Sequence, residues 1–94
     1  MLFHIHCVDK PGHAGVRTDN RSAHLGYIGA LQDRIVAAGP TLTEDGAAMT
    51  GSVFLIDFED RAAAEAFCAG DPYNKSGLFE TVTVSRWRQV IPKE

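Results

Sequence analysis

The stretch Gly51-Ser52-Val53-Phe54-Leu55-Ile56-Asp57-Phe58 constrains this chain more than any other. A run of large apolar and β-branched residues bounded by glycine and acidic residues reads as a strand. Side chains alternate across a strand, so Val53 and Leu55 face one way while Phe54 and Ile56 face the other. Both faces of such a strand need cover. A chain of 94 residues builds one small core, and one helical layer covers one sheet face, so the second face asks for a partner.

The remaining elements fall into place around that strand. Residues 2–8 read as a short strand with Phe3, Ile5 and Cys7 on one face and Leu2, His4, His6 and Val8 on the other. The turn-forming run Asp9 to Gly15 follows, and Thr18, Asp19 or Asn20 offers the N-cap of a helix. At about 100° per residue, Ile28, Leu31 and Ile35 lie within about 40° of His24, so the spacing predicts one helix through Ala38, ended by Gly39-Pro40. Thr41 to Thr43 reads as a short strand and Glu44-Asp45-Gly46 as a turn before the apolar strand. Asp60 caps a second helix over Arg61 to Cys68, which Gly70 closes before Asp71-Pro72-Tyr73 starts a new element. The last strand runs from Phe79 to Trp87, and a polar tail from Arg88 to Glu94 ends the chain.

Strand, helix, strand, strand, helix, strand is the order of the α+β ferredoxin-like βαββαβ fold. That fold is a four-stranded antiparallel sheet with two helices on one face, here filling residues 1–94 as a single domain. Its open sheet face would carry Val53 and Leu55, and a homodimer packed sheet on sheet would cover them.

Composition removes several classes of partner. The formal charge is −3, and the nine lysines and arginines are scattered rather than clustered, so neither nucleic acid nor an anionic membrane surface is expected. No apolar run approaches the roughly 20 residues that span a bilayer, and Met1 to His6 lacks the features of a signal segment, so the chain reads as soluble and cytoplasmic. Cys7 and Cys68 form no close-spaced pair; they read as buried small hydrophobes rather than as a disulfide or zinc site.

Five ordered fragments carry a family resemblance: Arg21-Ser22-Ala23-His24-Leu25-Gly26-Tyr27-Ile28; Ala38-Gly39-Pro40; Asp45-Gly46 with Gly51-Ser52; Gly70-Asp71-Pro72-Tyr73; and Gly77-Leu78-Phe79. Together they resemble the YciI-like (YCII-related) proteins over nearly the whole chain. The resemblance implies a ferredoxin-like protomer that pairs as a dimeric α/β barrel, with an active site built on a histidine and an aspartate, here His24 and Asp71. Fold relatives of that family include muconolactone-isomerase-like enzymes, and some members are associated with the breakdown of aromatic compounds. Fold kinship alone assigns no reaction.

Elementary geometry favours the same pair. Antiparallel helices on one sheet bring the end of the second helix, where Asp71 sits, toward the start of the first. A carboxylate bonded to one ring nitrogen fixes the tautomer and leaves the other nitrogen as a base. The plainer alternatives are a core histidine at His24 and a simple cap at Asp71, which precedes a proline. Arg21, Tyr27, Tyr73, His4 and His6 are the candidates for substrate contact. For Tyr27 and Tyr73, as for Trp87, packing alone is the alternative reading, and for Arg21 it is exposure to solvent. His4 and His6 stand about 7 Å apart on one strand face, a spacing that admits a shared metal. No third ligand is evident, so they read as neutral polar groups of the pocket or the dimer face and no metal is assigned. Ser52 lacks the setting of a nucleophile and receives no catalytic role.

The leading functional reading is a small-molecule enzyme in which His24, oriented by Asp71, moves a proton in an isomerase-like or elimination-type reaction on a small organic acid or ring compound, without a cofactor. The alternative is a non-catalytic dimeric ligand-binding or pathway-accessory protein.

Overall fold

Alternation along each strand sets the layers of the molecule. The computed structural model describes residues 1–92, so the last two positions of the polar tail lie outside the described residues. In chain order the elements are β1 (Leu2–Asp9), α1 (Ala14–Gly29), a 3-10 turn (Gln32–Arg34), β2 (Ile35–Leu42), β3 (Met49–Asp57), α2 (Arg61–Gly70), the short α3 (Pro72–Lys75) and β4 (Phe79–Trp87). The sheet order is β2-β3-β1-β4, with every neighbouring pair antiparallel. This is the ferredoxin-like α+β fold.

The register separates the two sheet faces. Phe3 lies opposite Ile56, Ile5 opposite Phe54 and Cys7 opposite Ser52, and all six are buried. Ile28 of α1 and Ala64, Phe67 and Cys68 of α2 pack onto this face and complete the core. On the other face His4 lies between Leu55 and Ser85, and His6 between Val53 and Thr83. These four inner-strand side chains (His4, His6, Val53, Leu55) are only half-buried. Cys7 and Cys68 are buried free thiols, as expected.

Local chemistry explains the element ends that were legible. Asp60 caps α2 by accepting a hydrogen bond from the Ala63 backbone N–H at 2.8 Å. In the β2–β3 turn, Gly46 takes φ +73°, and the Asp45 carboxylate accepts from the Ala47 N–H and the Thr43 hydroxyl. Gly51 is required by close approach, because a Cβ there would strike the Cys7 carbonyl oxygen on the adjacent strand.

The first helix differs from the sequence expectation at both ends. It starts at Ala14 rather than near Arg21. Thr18 and Asn20 are not caps but interior residues whose side chains donate back to the carbonyls of Ala14 and Val16. It stops at Gly29, and Ile35 to Leu42, including Gly39-Pro40, form β2 instead of the helix end and a short strand at Thr41 to Thr43. Leu31 and Ile35 do pack against the core, but from a turn and a strand. The helical period therefore ran on through two different elements that bury side chains in one place. Pro40 is tolerated because β2 is an edge strand. Among the described residues no helix is long and apolar enough to cross a membrane.

Candidate active site

Three segments meet beside the inner face of β3. The helix α1 brings Arg17, Arg21, His24 and Ile28 down one side at spacings of three and four residues. The α2–α3 junction brings Asp71 and Tyr73, and β3 contributes Ser52 and Phe54. Between them lies a cleft of about 240 Å³, walled also by Leu25, Met49 and residues 38–40. Its volume suits a single substituted ring, and its lining is mainly apolar with a few convergent polar groups.

His24 and Asp71 are only 6% and 2% exposed. Asp71 Oδ1 accepts from His24 Nδ1 at 2.8 Å and from the Tyr73 backbone N–H at 2.9 Å. One oxygen thus serves both as the cap of α3 and as the hydrogen-bond partner of the imidazole. A carboxylate only accepts, so Nδ1 carries the ring proton. Nε2 is left without a partner among the described residues, on a side chain that lines the cleft. The pair forms between α1 and the α2–α3 junction, with His24 about three turns into α1 rather than at its N-terminus. The helix dipole has little influence at that depth.

Tyr73 lies flat on the imidazole, with ring centroids 3.8 Å apart and planes 13° from parallel, and the Arg17 guanidinium lies over the Tyr73 ring, 4.7 Å from its centroid. This stack fixes the plane of the histidine ring. Burial pushes the Tyr73 phenol above its ordinary range, against the pull of Arg17.

Arg17 is the residue whose role was missed. It is 7% exposed and binds Asp9 through two bonds, Nε to Oδ2 and Nη2 to Oδ1, each 2.9 Å, while Nη2 also donates to Ser52 Oγ at 3.1 Å. Burial opposes its charge, but the bonded Asp9 carboxylate and, less strongly, Tyr73 together outweigh that and raise the guanidinium above its ordinary range. The placement of Arg17 outside the expected helix hid the signal: at i−7 from His24 it shares the same stripe.

The other candidates divide. Arg21 and Tyr73 line the cleft. Tyr27 does not; its hydroxyl donates to the Phe67 carbonyl at 2.8 Å, it stacks on Phe67 at 5.4 Å, and it lies where a Cβ on Gly70 would be. It ties α1 to α2. His4 and His6, with ring centroids 6.4 Å apart, stand on the opposite sheet face and are not brought to His24, because even-numbered residues of β1 point away from the helices. Among the described residues no three histidine, cysteine, aspartate or glutamate side chains converge as a metal centre would need.

Known proteins share this arrangement of chain. The 5-chloro-2-hydroxyhydroquinone dehydrochlorinase TftG from Burkholderia phenoliruptrix AC1100, solved in complex with 2,5-dihydroxybenzoquinone, is 39% identical. Its TM-score is 0.90 over 96% of each chain. Protein YciI of Escherichia coli O6:H1 is 35% identical over 97% of this chain and all of its own length. An antibiotic biosynthesis monooxygenase structure, 18% identical with a TM-score of 0.55 over 96% of this chain and 99% of its own, shares the fold alone. The family model of the YCII-related domain matches residues 1–88. With that match and full-length relatives above 30% identity, the chain belongs to the YCII-related domain family.

Proposed function

We propose that the protein is a small-molecule enzyme in which His24, oriented by Asp71, is the general base of an elimination-type reaction on a compact hydroxylated ring compound. The observation that carries this reading is the buried His24–Asp71 pair on the wall of a ring-sized cleft, with Nε2 left for substrate. The similarity to a dehydrochlorinase supports elimination over isomerisation. In loss of HCl from a hydroxylated chloro-ring in its keto form, Nε2 takes a hydroxyl proton. The oxygen's electron pair moves through the ring, and the C–Cl bond breaks with its pair on chloride. The ring becomes a quinone as the carbon–chlorine bond is reduced, so the step needs no external oxidant.

The test is chloride release and quinone absorbance with 5-chloro-2-hydroxyhydroquinone as substrate. We expect turnover by the native protein and a fall of about 10²-fold to 10⁴-fold in His24→Ala, the usual contribution of a positioned acid or base. Native protein that releases no chloride above buffer, or His24→Ala that keeps full rate, overturns the reading.

The working form is a homodimer through the outer sheet face, supported by the half-buried strip of Val53 and Leu55 beside His4 and His6. Sedimentation should give a dimer for the native chain and a monomer for Leu55→Glu; a native monomer at high concentration removes the proposal.

A further inference from the structure

Ser52 faces the cleft, yet proton transfer between His24 and substrate leaves it unused. It is 3% exposed, and its Oγ accepts the Arg17 Nη2 hydrogen bond at 3.1 Å. For the hydroxyl hydrogen the structure offers no acceptor among the described residues. A hydroxyl that accepts from a cation is polarised as a donor, and its hydrogen turns away from that cation. Arg17 itself cannot swing away. Both Asp9 oxygens hold it and the Tyr73 ring lies beneath it.

We infer that Ser52 is the hydrogen-bond donor to the keto oxygen of the ring whose hydroxyl His24 deprotonates, and that Arg17 is the residue that positions it. This rests on the proton-transfer reading above. In the step, His24 Nε2 takes a proton from one substrate hydroxyl, that oxygen's pair moves through the ring and leaves on chloride, and the ring's keto oxygen draws electron density as this happens. Ser52 Oγ–H donates to that oxygen without giving up its proton. No bond to Ser52 forms or breaks, which separates this role from a nucleophile. A donor fixed in advance toward developing charge costs no reorganisation at the moment of reaction. The substrate class narrows to rings carrying two conjugated oxygens set apart, one for His24 and one for Ser52, with Arg21 at the cleft for an anionic form.

The probe is 2,5-dihydroxybenzoquinone, a vinylogous acid whose visible absorption reports its ionisation. Ser52→Ala should bind its anion about 10-fold to 100-fold more weakly, as loss of a hydrogen bond to a charged group implies. It should also raise the pH at which the bound quinone ionises and lower kcat on the chlorinated substrate by about 10²-fold to 10³-fold. Arg17→Lys keeps a charge opposite Asp9 but loses the fork that reaches Ser52. It should shift the bound quinone's ionisation the same way, and the double variant should go no further than Ser52→Ala, a coupling that a merely structural arginine would not show. If Arg17→Lys does not fold, Ser52→Ala alone decides. Ser52→Ala with native affinity, ionisation and turnover, beside an inactive His24→Ala, overturns the Ser52 assignment and leaves the base intact. Native protein that neither binds the quinone nor releases chloride overturns the proton-transfer reading and this assignment with it.

Discussion

Replacing Asp71 separates its two duties. In Asp71→Ala both the Tyr73 N–H and the His24 Nδ1–H lose the oxygen they share, in a site where the aspartate is 2% exposed. Each buried donor left unpaired costs about 1–3 kcal/mol, so the loss should reach about 2–6 kcal/mol. Asparagine is as good a cap as aspartate and keeps an acceptor oxygen. Asp71→Asn should therefore lose only the charge assistance of the imidazole bond, about 1 kcal/mol. Its rate should fall much further, by about 10²-fold to 10⁴-fold, because a neutral amide holds the Nδ1–H tautomer weakly. Urea unfolding measures the first quantity and chloride release the second. Nitrogen NMR of the ring, with His24 assigned by substitution, reports the tautomer directly. Equal stability of the two variants would refute the shared-oxygen argument. A fully active Asp71→Asn with an unchanged tautomer would refute the orienting role, and the protein would then be read as a binding module with a core histidine.

Three further outcomes follow from the packing. Gly51→Ala should cost at least about 3 kcal/mol or prevent folding, read by urea unfolding, since its methyl group meets the Cys7 carbonyl across the strand pair. Tyr27→Phe should lose about 1 kcal/mol with its bond to the Phe67 carbonyl, yet leave turnover intact; a large rise in KM would return Tyr27 to the substrate site. Burial, aided by the nearby Asp71, pushes the Cys68 thiol up to about 11, and burial with the neighbouring Cys68 raises Cys7 further. The native thiols should thus resist alkylation at pH 8. Because the folded values are raised, this stabilising contribution is complete below the unfolded thiol value near 9 and is lost as pH climbs toward 11. Unfolding at graded pH checks the slope; stability that rises across that window would contradict it.

What the sequence alone determined is local. The Asp60 cap, the Asp45-Gly46 turn and the alternation of β1, β3 and β4 are decided by residues a few positions apart, and they suffice to name the fold. The His24–Asp71 pair was also within reach, because a family motif and antiparallel helix packing each pointed to it. The end of α1 was not. Leu31 and Ile35 keep a helical period while belonging to a turn and a strand, since the core selects for apolar side chains without regard to the backbone that delivers them. Nor was the Arg17–Asp9–Ser52 cluster, whose members meet across a loop and a sheet. No local preference distinguishes a solvated arginine from one clamped over a tyrosine. The tertiary fold alone decided that Arg17 is buried, that Tyr73 stacks on the imidazole while Tyr27 does not, and that His4 and His6 face away, because strand register and helix placement set which side chains share a cavity.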